Sequence, residues 1–225
     1  MEGPERYFAP YVEDKEKCLE IFVVEHKELP PVYVYFLDNI DTVDEGFINK
    51  NIDLLPKERR EKCLRYKNVK DRIACIAAFL LLKEGLKAHF EVDEPFSFTY
   101  SKHGKPYLRD VEDVHFNISH TRNSVVVVLA GFEAGVDIEG KRNFNQNLVE
   151  RVCGEGELKR ISTAEDRKTA FIELWSMKES YAKAYGISVT ELLKKDIPQE
   201  NFFTLTKGEY FISIYYGRYY EKAGK

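Results

Sequence analysis

Apolar side chains dominate Val32-Tyr33-Val34-Tyr35-Phe36-Leu37, a β-branched and aromatic run that predicts the first strand. Pro56 then stands at a helix start and introduces a helix over Lys57 to Tyr66. From Val69 to Leu86 the pattern changes period: Ile73, Ile76, Ala77, Leu80 and Leu81 recur at three- and four-residue intervals, which predicts a core helix with Gly85 near its end. Short strand-like runs follow over Pro95 to Tyr100, Val114 to Ser119, Ser124 to Ala130 and Ala134 to Glu139. Helices are expected over Asn147 to Val152, Gly156 to Ser162 and Ala164 to Tyr185. Two closing strands, Phe202 to Thr206 and Tyr210 to Tyr215, flank a Lys207-Gly208 turn. The order predicts an α+β protein of two similarly built halves, residues 32–131 and 132–225, joined near Gly131 to Gly135. Residues 1–31, which end at Pro30-Pro31, read as an N-terminal extension whose structure the pattern leaves open.

A chain of 225 residues can bury a core without covalent staples. Its four cysteines, Cys18, Cys63, Cys75 and Cys153, show neither Cys-x-x-Cys nor zinc-ligand spacing, so reduced thiols are expected. The longest apolar stretches, Ala74 to Leu82 and Val125 to Gly131, are far below the roughly 20 residues of a membrane span, and the charged N-terminus lacks the apolar part of a signal peptide. A cytoplasmic protein without membrane contact is the expectation. With 34 basic against 38 acidic residues and a formal charge of −4, no global attraction to nucleic acid is expected either, and local clusters become the informative feature.

Asp137 and Glu139 are two apart on a strand-like segment and so project to one face. Two hard oxygen donors aimed at one place suit Mg²⁺, although Asp-x-Glu equally describes a solvated strand end. Glu179 and Lys183, four apart on a helix, share a face and form either an exposed ion pair or a metal-binding carboxylate beside a phosphate-binding ammonium. Arg59, Arg60, Lys62, Arg65 and Arg72 make the densest basic region of the first half. No Gly-x-x-x-x-Gly-Lys-Ser/Thr or Gly-x-Gly-x-x-Gly loop exists, so any phosphate must be held by side chains. Gly104-Lys105-Pro106 offers a lysine on a turn, and Ser119-His120-Thr121 places three polar groups at a strand end.

The ordered set Gly104-Lys105-Pro106, Phe116-Asn117-Ile118-Ser119-His120-Thr121, Gly135-Val136-Asp137-Ile138-Glu139 and Trp175-Ser176-Met177-Lys178-Glu179-Ser180-x-x-Lys183 resembles the 4′-phosphopantetheinyl transferase superfamily, most closely its larger, single-chain, surfactin-synthetase-activating type. The resemblance implies a pseudo-two-fold duplication of the two halves. It implies that Asp137, Glu139 and Glu179 hold Mg²⁺ with the pyrophosphate of coenzyme A, and that Lys183 contacts the same phosphates. The segment Arg151 to Glu157 matches a family Arg-x-x-x-x-x-Glu, which makes Glu157 the implied base for the incoming serine, with Glu155 two residues away as its competitor. Lys105, Ser119 and His120 match positions that grip the adenine ribose and its 3′-phosphate, joined by Arg59, Lys62 and Arg72. Ile73 departs from the family's small polar residue, and the interval from Lys62 to Arg72 is one residue short. The activity implied is transfer of the phosphopantetheine arm to a serine of an apo acyl or peptidyl carrier protein by a monomer. A noncatalytic binding module and a metal-dependent phosphohydrolase are the rival readings.

Overall fold

The protein is described here by a computed structural model covering residues 4–8, 19–27, 29–140 and 145–216. Two compact units separate: residues up to Thr99 with Tyr107–Gly131, and Tyr100–Pro106 with residues from Phe132 onward. Helix and antiparallel sheet occur in both, an α+β composition.

In the first unit a short helix, α1 (Glu5–Phe8), precedes β1 (Leu19–His26) and β2 (Leu29–Leu37). The extended run at Val32 continues back to Leu29, and residues 19–26 add a strand lying outside the 32–131 span expected for the first half. Its apolar alternation is weak because β1 is an edge strand, with Ile21 and Val23 exposed. Helices α2 (Glu45–Asn51), α3 (Lys57–Arg65) and α4 (Val69–Phe90) follow. After the short strands β3 (Phe98–Tyr100) and β4 (Pro106–Leu108), strands β5 (His115–His120) and β6 (Val125–Ala130) complete a sheet of order β1-β2-β6-β5.

Helix α4 lies on this sheet. Its residues from Ile73 to Leu82 are all buried, so it is a core helix on every side and carries almost no amphipathic contrast. Gly85 does not end it, which corrects the sequence reading. A Cβ there would come within 2.6 Å of Leu129 Cδ1, so the glycine lets helix and sheet approach, and α4 runs on to Phe90, capped by left-handed Glu91.

The second unit contains β7 (Gly135–Gly140), helices α5 (Gln146–Val152), α6 (Glu155–Thr163) and α7 (Arg167–Tyr185), and strands β8 (Phe202–Lys207) and β9 (Tyr210–Tyr215). Its sheet has the order β7-β9-β8. Helix α7 begins at Arg167 instead of Ala164 because Asp166 is its cap, accepting from the amides of Lys168 and Thr169. Among the described residues no helix is long and apolar enough to cross a membrane.

Candidate active site

The acidic motif lies on β7, where Asp137 and Glu139 alternate with the core residues Val136 and Ile138. Both carboxylates are nonetheless buried, at 4% and 5% exposure, because α7 lies against the strand. Gly135 permits that approach. A Cβ at this position would stand 2.0 Å from the Ser180 carbonyl oxygen and 2.6 Å from the Ala184 amide, so no side chain fits between β7 and α7.

Helix α7 answers the strand with residues spaced one turn apart. The Trp175 indole donates to Glu139 Oε1 at 2.8 Å, and Lys183 Nζ donates to Asp137 Oδ1 at 2.6 Å. Glu179 lies midway between Trp175 and Lys183 on the same helical face, and Ser176 Oγ donates to the Asp137 carbonyl at 3.3 Å. The structure thus brings Asp137, Glu139, Glu179 and Lys183 to one seam. Trp175 is a partner of the acidic motif that residue-by-residue reading missed: its signal was the four-residue spacing to Glu179, which only matters once α7 is known to lie on β7.

Glu157, the base that the resemblance implies, is enclosed in this structure. It is 3% exposed at the start of α6. One oxygen accepts from the Ile197 amide at 3.0 Å; the other accepts from the Gly154 amide at 2.9 Å and pairs with Lys178 Nζ at 2.9 Å. Lys178 is fully buried and also donates to the Leu192 carbonyl at 3.1 Å and to that of Lys195. Both oxygens of this carboxylate are thus engaged, by two amides and an ammonium. Its neighbour Glu155 is exposed at the first position of α6.

The residues expected on the nucleotide side divide between the units. Lys105, at the tip of the β3–β4 hairpin, groups with the second unit. It is a buried tie and not a presented lysine, donating to Glu133 and to the Ala184 carbonyl at 3.1 Å. Arg59, Lys62, Arg72, Ser119 and His120 belong to the first unit. Arg59 is only 5% exposed, with its guanidinium 5.3 Å from the centre of the Phe98 ring. Desolvation and the Arg59 charge push the Lys62 ammonium below the usual lysine range. Arg72 Nε donates to the Tyr66 carbonyl at 2.8 Å. Ser119 is buried near the end of β5, and the exposed His120 ends that strand.

As a metal centre the α7–β7 seam fits in donor type: three carboxylates on facing elements suit a hard divalent cation. Among the described residues, no group of three or more His, Cys, Asp or Glu side chains is already gathered closely enough to hold a metal.

Comparison with known proteins covers the stretch of chain that carries this geometry. The family description "4'-phosphopantetheinyl transferase superfamily" matches residues 133–222, and "4'-phosphopantetheinyl transferase, N-terminal" matches residues 45–133. The 4'-phosphopantetheinyl transferase gsp of Aneurinibacillus migulanus is 32% identical over 158 residues, covering 69% of this chain and 65% of that protein. The 4'-phosphopantetheinyl transferase Sfp of Bacillus subtilis (strain 168) is 26% identical over 158 residues, covering 69% and 70%. The L-aminoadipate-semialdehyde dehydrogenase-phosphopantetheinyl transferase of Candida glabrata is 26% identical over 161 residues, covering 67% and 62%. The chain thus spans just under two thirds of the length of the gsp protein and of the Candida protein. With consecutive family matches running from residue 45 to residue 222, and relatives of the Sfp kind aligned over most of its length, the chain belongs to the 4′-phosphopantetheinyl transferase superfamily.

Proposed function

We infer that this protein transfers the 4′-phosphopantetheine arm of coenzyme A to a serine of an apo acyl or peptidyl carrier protein, releasing 3′,5′-ADP. The observation that carries the reading is the α7–β7 seam, where the Lys183 ammonium and three carboxylates share one side of a strand–helix pair. A pyrophosphate is the substrate such a mixture suits, since negative charge builds on its leaving oxygen as the phosphorus–oxygen bond breaks.

Asp137, Glu139 and Glu179 would hold Mg²⁺, which supplies charge neutralisation of the pyrophosphate when bound. Trp175 fixes the orientation of Glu139 through its indole N–H. Lys183, now on Asp137, is the cation next to the leaving phosphate, and its flexible stem can exchange a carboxylate for a phosphate oxygen. The serine hydroxyl attacks the phosphorus that bears the pantetheine arm, and its proton goes to a carboxylate. Glu155 takes that role here, because it is exposed where Glu157 is enclosed. Arg59, Lys62, Arg72, Ser119, His120 and Lys105 remain the proposed contacts of the adenosine and its 3′-phosphate. For Lys105 this requires release from Glu133.

The duplication of one plan belongs to the same proposal. Each unit lays one long helix, α4 or α7, on an antiparallel sheet, as two copies of an ancestral half would. Intact mass of an apo carrier protein incubated with this chain, coenzyme A and Mg²⁺ tests the activity. A gain of one phosphopantetheine that EDTA abolishes is expected. An unchanged carrier with coenzyme A hydrolysed would favour the phosphohydrolase, and one with coenzyme A bound but intact would favour the noncatalytic module.

A further inference from the structure

Strand β9 places a further polar side chain beside the acidic motif. Ser213 is the register partner of Asp137 across the β7–β9 pair. Partners in register project to one face of a sheet, and the contact of Asp137 with Lys183 identifies that face as the one under α7. Ile212 and Ile214, next to Ser213 along the strand, turn to the opposite face. Ser213 has no exposed surface, and its Oγ has no hydrogen-bond partner among the described residues. A hydroxyl taken out of water without a partner costs stability, and few are kept in a folded chain.

The neighbours of Ser213 narrow what it can serve. Its register partner on the other side is Thr204 of β8, an exposed residue whose hydroxyl donates to Glu173 Oε1 at 3.3 Å. On α7 the buried Ser176 and Ser180 already donate to the carbonyls of Asp137 and Met177, at 3.3 and 2.9 Å. Asp137 is the only acid in the row Asp137, Ser213, Thr204, and a carboxylate draws a hydroxyl proton more strongly than a second hydroxyl does. At present Lys183 Nζ holds Asp137 Oδ1 at 2.6 Å. The proposed transfer moves that ammonium to a phosphate oxygen, and the 4% exposed carboxylate then loses the donor it had.

We propose that Ser213 is a positioning residue for Asp137: its hydroxyl donates to the Asp137 carboxylate once Lys183 has moved to the substrate, and so holds that carboxylate in place for the cation it shares with Glu139 and Glu179. Ser213 itself touches neither substrate nor metal. The inference rests on the proposed transfer, which supplies both the cation and the phosphate that draws Lys183 away.

Mn²⁺ titrated into the full chain at saturating coenzyme A, with binding read by electron paramagnetic resonance, tests this without a carrier protein. Urea unfolding of the same proteins, free of cation and coenzyme A, is measured in parallel. In Ser213→Ala the dissociation constant for Mn²⁺ should rise about 10-fold or more. The urea midpoint should stay as in wild type or rise, because in the free protein the hydroxyl bonds to nothing. Thr204→Val removes the hydroxyl committed to Glu173 from the same row and should leave Mn²⁺ binding unchanged. Wild-type Mn²⁺ binding by Ser213→Ala overturns the proposal. So does weakened binding that Thr204→Val reproduces or that comes with a lowered urea midpoint, either of which marks a structural hydroxyl. Those outcomes leave the transfer activity standing, whereas a wild-type chain that neither binds Mn²⁺ with coenzyme A nor modifies a carrier overturns both.

Discussion

Replacing Glu157 by Gln separates a structural carboxylate from a catalytic one. The native group serves three donors with two oxygens: the amides of Ile197 and Gly154 and the Lys178 ammonium, all between 2.9 and 3.0 Å. An amide has one acceptor oxygen, so its NH₂ group must face either the Ile197 amide or the Gly154 amide and the ammonium. Lys178, fully buried, loses its counter-ion, with only the Leu192 and Lys195 carbonyls remaining. Breaking a buried pair from one side costs about 3–5 kcal/mol, which for a chain of this size corresponds to a fall in Tm of about 6–20 °C. The single tryptophan, Trp175, lies in the second unit and reports its unfolding in a urea titration. The midpoint should fall in Glu157→Gln and recover largely in the double variant Glu157→Leu with Lys178→Met, which removes both charges together. Transfer activity measured well below the new midpoint should stay within a few-fold of wild type. A Glu157→Gln protein with an unchanged midpoint and a transfer rate lowered by about 10²-fold or more would refute the structural role and restore the base.

Four further outcomes are expected. Trp175→Phe removes the indole N–H from Glu139 and should raise the Mg²⁺ concentration for half-maximal transfer about 10–100-fold. An unchanged Mg²⁺ titration would contradict the orienting role. Gly135→Ala inserts a Cβ 2.0 Å from the Ser180 carbonyl oxygen and should cost about 1–3 kcal/mol or more in urea unfolding while lowering transfer, since α7 must move off β7. Glu155→Gln should lower the transfer rate with carrier protein but leave coenzyme A affinity, measured by calorimetry, as in wild type. The Cys75 thiol, drawn from 9.0 to about 7, favours the folded state most fully above pH 9, and this contribution disappears as pH falls through about 7. Stability measured from pH 6 to 9 should therefore rise less steeply in Cys75→Ser than in the wild-type protein, and parallel curves would exclude a folded-state thiolate.

Local pattern was enough for most elements, because periodicity and caps are properties of a few adjacent residues. The closing strands Phe202–Lys207 and Tyr210–Tyr215 and the helix Lys57–Arg65 fall within a residue of their expected bounds. The strands Leu19–His26 and Pro106–Leu108 were not legible, since the first is an edge strand with Ile21 and Val23 exposed and the second has three residues and a three-residue partner. Gly85 misled for the same reason: a glycine can end a helix or admit a neighbour, and only the position of Leu129 distinguishes the two. The sequence alone determined the α+β order, the shared face of Asp137 and Glu139, and the shared face of Glu179 and Lys183, all consequences of strand and helix period. Tertiary structure decided that α7 lies on β7, so that Lys183 meets Asp137 and Trp175 meets Glu139. It also decided that Glu157 and Lys105 are enclosed by Lys178 and Glu133, because burial and pairing depend on residues up to 79 positions away, beyond the reach of any local spacing.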